Sequence, residues 1–146
     1  MTRSIEREIR VAAAPEVVYE VISSPEHLRE WWPDEADVDA VAGAVGSVSF
    51  QRADETMVVP LTVVEADPPR RFSFRWDYDD EFATPENSLL VTFDLVAVEG
   101  GTLLRFAETG YAEAAKSDEI LADHTSGWDY FLPRLTPYVD RLVHRP

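Results

Sequence analysis

The chain has 146 residues, 45% of them hydrophobic, with 4 Trp, 5 Tyr and 7 Phe, which is enough apolar material to close a core and excludes a disordered chain. Its 28 acidic against 13 basic side chains give a formal net charge of -15, which repels phosphate backbones and anionic lipid heads and argues against nucleic-acid and membrane partners. With no Cys, disulfides and thiolate chemistry are excluded, and with no apolar run near the ~18 residues of a membrane span and no signal-peptide block, a cytoplasmic location is expected.

Residues 4–11, "SIEREIRV", alternate in the period of a half-buried strand. The period then changes. Pro15 suits a first helical turn, and Val17, Val18, Val21 and Ile22 make one apolar face. Ser24 and Pro25 read as the cap and first position of a second short helix, which runs through His27 and Leu28 to Trp31 and is stopped by Pro33. Trp31 and Trp32 stand side by side at its end. Neighbouring helical residues point about 100° apart, so the two rings are not expected to face one core.

From there to residue 110 the pattern is strands and turns. "DVDAV" at 37–41 and "GSVSFQR" at 46–52 flank a turn from Gly43 to Gly46. The strand at 56–66 contains Pro60, whose missing N–H marks a bulge, a break or an edge. Pro68-Pro69 turns into "RFSFRW", which sets Phe72, Phe74 and Trp76 on one face. The acidic stretch "DYDDEFATPEN" reads as a solvated loop. Strands at 88–97 and 102–109 follow, with Leu89, Val91, Phe93 and Leu95, then Leu104, Phe106 and Glu108, as inward sets. The tail is helical from a Ser117 cap, with Leu121, Thr125, Trp128, Phe131 or Leu132, Leu135, Val139 and Leu142 recurring at three or four; Pro133 and Pro137 should bend it in one direction. The reading is one α+β domain over residues 1–146: a strand, two short helices, six strands and a long C-terminal helix.

That order, with "SPEHLREWW", "EADPPRRFSFRW" and "SGWDYFLPRL", resembles the helix-grip superfamily called SRPBCC, which includes START lipid-transfer domains and birch-pollen-allergen-like proteins. Within it the chain is most similar to the family named for the activator of heat-shock-protein-90 ATPase, in its single-domain bacterial members. A bacterial origin also suits basic residues that are twelve Arg and one Lys. The resemblance spans residues 4–143. It implies a curved seven-stranded antiparallel sheet wrapped around the long helix, with an internal cavity between them. Trp31 and Trp32 fall on the family's Trp pair, Pro68-Pro69 on its double-proline turn, Trp76 on its strand-end aromatic, and Gly127-Trp128 on its helix motif. The chain departs from the pattern at "GAVGS", where a Gly-Gly pair is usual, and in the two helix prolines.

The expected cavity lining is Trp31, Trp32, Phe72, Phe74, Trp76, Val91, Phe93, Phe106, Glu108, His124, Trp128 and Phe131, with one of the two adjacent Trp in the core and the other at the cavity lip. An aromatic concavity with few polar groups suits a hydrophobic or aromatic small molecule. Glu108 shares the inward face with Phe106 but lies near a strand end, where solvent could reach it or a structural hydrogen bond could hold it. Ligand binding without catalysis is the main reading. A cyclase or dehydratase using Glu108 or His124 as acid or base is the alternative, and a chaperone-interacting module a third, not expected for a chain without room for the co-chaperone's additional domain. No cofactor is implied. No metal site is expected, because His27, His124 and His144 lack ligand spacing. Outward Leu90 and Leu103 leave a homodimer possible.

Overall fold

Residues 3–144 are described by the structure, a computed structural model. Strand β1 (Ile5–Val11) leads to helices α1 (Pro15–Ser23) and α2 (Pro25–Trp31). Six strands follow: β2 (Glu35–Asp37), β3 (Val45–Arg52), β4 (Glu55–Asp67), β5 (Arg71–Trp76), β6 (Leu89–Val98) and β7 (Gly101–Thr109). The chain ends in α3 (Asp118–Phe131), a 3-10 turn (Leu132–Arg134) and α4 (Leu135–Val143). All seven strands form one curved antiparallel sheet in the order β1-β7-β6-β5-β4-β3-β2. This is the helix-grip arrangement, with the alternating inward residues of the sheet closed over by the helices. Among the described residues no helix is long and apolar enough to cross a membrane.

Period-two alternation puts Phe72, Phe74 and Trp76 of β5 and Leu104, Phe106 and Glu108 of β7 on the buried face. The β6 register, Phe74 opposite Val91 and Val91 opposite Glu108, brings those two strands' inward residues into one row. Two ties hold the helices to this frame. Arg7 on β1 forms a two-pronged bond with Asp129 on α3, at 2.9 and 3.2 Å, and His27 on α2 meets the Tyr138 hydroxyl on α4 at 2.6 Å.

Three expectations change. The strand expected at 37–41 ends at Asp37, because β3 approaches so closely at Gly46 that a Cβ there would lie 2.3 Å from the Asp37 carbonyl; the segment after it turns, and Val38 drops into the core. The C-terminal helix is interrupted rather than smoothly bent: Pro133 sits in the 3-10 turn and Pro137 in the first turn of α4, where an N–H has no helical partner in any case. Both adjacent Trp rings face the same core. Trp32 leaves the helix with φ -123 and ψ -94, which rotates its ring back to lie 6.1 Å from that of Trp31 at 28°. Pro60 occupies an edge-like position, one residue beyond the last β4–β5 pair, Leu61 with Trp76, while the bulge falls between Val63 and Glu65.

Candidate functional site

Where β5 and β7 end under α3, four elements converge on one carboxylate. Glu108, at 0% exposure, accepts three hydrogen bonds: from the Trp76 indole N–H at 2.7 Å, the Tyr111 hydroxyl at 2.5 Å, and His124 Nδ1 at 2.8 Å. A carboxylate taken out of water needs such donors. Gly110, with φ 100, reverses the chain and brings Tyr111 back over the strand end. That reversal, with His124 from α3, seals Glu108 from solvent, so that of the two expectations for it the structural hydrogen bond is the one seen.

The bond fixes the ring of His124. With Nδ1 donating to Glu108, Nε2 is directed away, 3.8 Å from Asp77 Oδ2. Burial opposes a charged imidazole, but the hydrogen bond and charge of Glu108, with the charges of Asp77 and Asp123, outweigh it and raise the pKa of His124 above its ordinary value. Tyr111 is pushed up strongly, by burial first and then by the Glu108 charge, so its phenol stays protonated and donates. Asp77 follows β5 in the left-handed region, φ 64, and its carbonyl accepts from Lys116 Nζ at 2.7 Å. The Asp77 Oδ2 atom is buried without a hydrogen-bond partner, with Lys116 Nζ 3.6 Å away.

Above this polar floor a cleft of about 270 Å³ opens between α3 and strands β3 to β5. Trp32, Trp76, Trp128, Phe50 and Phe131 give its aromatic walls, His124, Asp77, Asp123 and Arg52 its polar groups, and Gly127 part of its helical side. Trp32 is only 4% exposed and its ring lies 5.2 Å from Trp76 and 5.1 Å from Trp128. Of the residues expected to line a cavity, Trp32, Trp76, His124, Trp128 and Phe131 border this cleft. Trp31, Phe72, Phe74, Val91, Phe93 and Phe106 pack in the closed core instead, and Glu108 lies beneath the floor. Trp31 bonds through its indole N–H to the Val21 carbonyl at 3.0 Å.

Sequence reasoning missed Tyr111, Asp77 and Lys116. Asp77 belongs to the acidic stretch that reads as a solvated loop, yet it is half-buried and its neighbour Tyr78 is buried with its hydroxyl 2.9 Å from that of Thr62. The signals available were the Glu-Thr-Gly-Tyr turn at 108–111 and the lone lysine of an arginine-rich chain. Among the described residues no group of three or more His, Asp or Glu is placed to hold a metal ion.

The family model described as "Activator of Hsp90 ATPase homolog 1-like protein" matches residues 12–140. Among solved structures, protein MLL2253 from Mesorhizobium loti is 22% identical, with 94% of this chain and 97% of that one covered at a TM-score of 0.78. The Aha1 dimer from Colwellia psychrerythraea, solved in solution, is 20% identical over 93% and 95% of the two chains, TM-score 0.73. DynU16, from the dynemicin biosynthetic locus, is 20% identical and covers 96% of this chain but 48% of its own, TM-score 0.76. At these identities the likeness is one of fold. No curated protein matches the chain in sequence.

Proposed function

Since this chain belongs to the family of Activator of Hsp90 ATPase homolog 1-like proteins, we propose that it is a binding protein for a hydrophobic or aromatic small molecule, held in the cleft between the sheet and α3. The observation that carries this reading is the cleft's make-up: aromatic faces from Trp32, Trp76, Trp128 and Phe131 above a single oriented imidazole, His124. Flat apolar walls with a few fixed polar groups are the chemistry of small-molecule sites, where burial contributes about 25 cal/mol per Å².

Gly127 supports it further. A glycine inside a helix is unfavourable by ~1 kcal/mol relative to Ala, and an added Cβ at 127 would meet nothing within 4 Å. Packing therefore does not require this glycine. It borders the cleft, and room for a ligand is a reason to keep it.

A thermal-shift screen with fatty acids, flavonoids and polyketide-like aromatics tests the reading. Saturation at about 100 times Kd adds roughly 2.7 kcal/mol, a rise of several degrees in Tm for a domain of this size. One chemical class should raise Tm, and Phe131→Ala should weaken that response. Silence from every class would overturn the reading.

The His124–Glu108 pair favours a second reading, an acid-base enzyme of the cyclase or dehydratase kind using the same cleft. A carboxylate that holds one imidazole nitrogen leaves the other to move a proton. Turnover of a bound aromatic that His124→Gln abolishes, without loss of binding, would favour it over simple binding.

A further inference from the structure

We propose that two copies of this chain pair by a reciprocal contact, in which the acidic loop between β5 and β6 carries Phe82 of each copy into an arginine-lined cavity of the other. Phe82 is 70% exposed, and the same segment exposes Asp79, Asp80 and Glu81. Among the described residues no cation pairs with these three carboxylates. The loop is nonetheless built. Tyr78 is buried at its start, and near its end the Asn87 amide donates to Asp80 at 2.8 Å and to the Phe82 carbonyl at 2.9 Å while its oxygen accepts from the Thr84 N–H at 2.7 Å. A fixed loop that holds a phenyl ring out in water presents the kind of aromatic anchor that interfaces bury.

The receiving surface adjoins it. A cavity of about 390 Å³ opens at the outer face of the sheet, with Pro85, Leu90 and Ala112 in its apolar lining and Arg3, Arg75 and Glu113 as its charged groups. Arg75 alternates with the inward Phe74 and Trp76 and so faces outward, between Thr62 of β4 and Leu90 of β6. Its cross-strand neighbours are neutral, and it has no ion pair among the described residues. Arg3 is paired with Asp118 at 3.1 Å. A guanidinium without a carboxylate is unusual in a chain of net charge -15, and here it borders an apolar hollow next to carboxylates without a cation.

Within one copy the two do not meet. The Asn87 bonds hold the loop with Phe82 in solvent, although Pro85, three residues on, lines the cavity. A knob and a hollow side by side on one surface is what a two-fold contact requires, since each copy then gives its loop and receives the other's. The contact sets Phe82 against apolar lining, and the acidic residues beside it against Arg75. That attraction offsets the repulsion between two copies of such negative charge and fixes their register. The inference stands apart from what the cleft under α3 binds.

Sedimentation velocity of the whole chain from about 1 to 500 µM tests it. A monomer–dimer equilibrium is expected within that range. Phe82→Ser changes an exposed side chain on which the fold does not depend, and should weaken self-association at least about tenfold. Arg75→Glu should be monomeric alone, and so should a loop variant carrying both Asp79→Arg and Glu81→Arg. Mixed in equal amounts, these two should form a dimer, because each cavity then faces a loop of opposite charge; that recovery also shows both variants to be folded. A chain that stays monomeric throughout overturns the inference, as does a dimer that Phe82→Ser leaves intact. Charge variants that self-associate singly, or that fail to recombine, overturn it too.

Discussion

His124 on α3 and Glu108 on β7 share one hydrogen bond, Nδ1 to Oε1 at 2.8 Å, with the carboxylate fully buried and the far imidazole nitrogen at the cleft. The bond joins helix to sheet and also orients the one imidazole that, among the described residues, borders the cleft.

That bond makes stability depend on pH in a stated direction. His124 has a raised pKa in the folded chain, against an ordinary value of about 6.5 unfolded. Its charged form is favoured by folding, so the stabilisation is complete below about pH 6.5 and is lost as pH rises through the raised value. The groups facing the ring are Glu108, Asp77 and Asp123, which favour its charge, with the neutral Tyr111 hydroxyl and Lys116 beside them. NMR titration of the imidazole should give a midpoint above 6.5, and urea midpoints should fall from about pH 6 to 8.5 by more than they do in His124→Gln. A midpoint below the ordinary value would refute the coupling.

Glu108→Gln sets an amide N–H₂ where three donors now converge, so at least one donor meets another donor. A loss of about 2–4 kcal/mol is expected in urea unfolding. The His124 midpoint should drop in the same variant, which separates loss of this bond from general loosening.

Trp31→Phe keeps most of the ring and removes the N–H that reaches the Val21 carbonyl. In α1 that carbonyl would be served by the N–H four residues on, but the residue there is Pro25, which has none. Trp31 supplies the missing donor. A cost of about 1–3 kcal/mol is expected, and a variant as stable as the parent would show the bond to be dispensable.

Gly127→Ala should stabilise the protein by about 0.5–1 kcal/mol, since the helix gains a better former and the methyl meets no atom. The same methyl projects beside the cleft, so affinity for any probe that binds there should fall. Stability and affinity moving in opposite directions is the signature to look for in paired melts and titrations.

The sheet was legible where its inward positions obey period two, as Phe72, Phe74, Trp76 and Phe106 show. Strand parity also placed Glu108 inward, and helical spacing placed His124 one turn before Trp128. What sequence could not supply was the partners contributed by loops. Tyr111 reaches Glu108 only because Gly110 reverses the chain, and Asp77 turns inward only through a left-handed residue after β5. Neither has a periodic signature. The Trp31–Trp32 pair departs from expectation only in its angle: an angular argument valid inside a helix fails at Trp32, whose backbone has already left it, so both rings are buried, Trp31 in the core and Trp32 at the cleft. The aromatic lining was over-assigned, because inward parity says that Phe93 or Phe106 is covered but not whether a ligand or another ring covers it.

The division of the four tryptophans has an optical consequence. Trp31 is sealed in the core, while Trp32, Trp76 and Trp128 border the cleft within about 6 Å of one another, at 5.2, 5.1 and 5.8 Å. Excitation absorbed by any of these three migrates among them by resonance transfer, so a single chromophore lodged against one indole drains the emission of the whole trio. Trp31, at 6.1 Å from Trp32, feeds the same sink. A light-absorbing compound bound in the cleft would thereby quench the intrinsic ultraviolet emission of the chain, without a label.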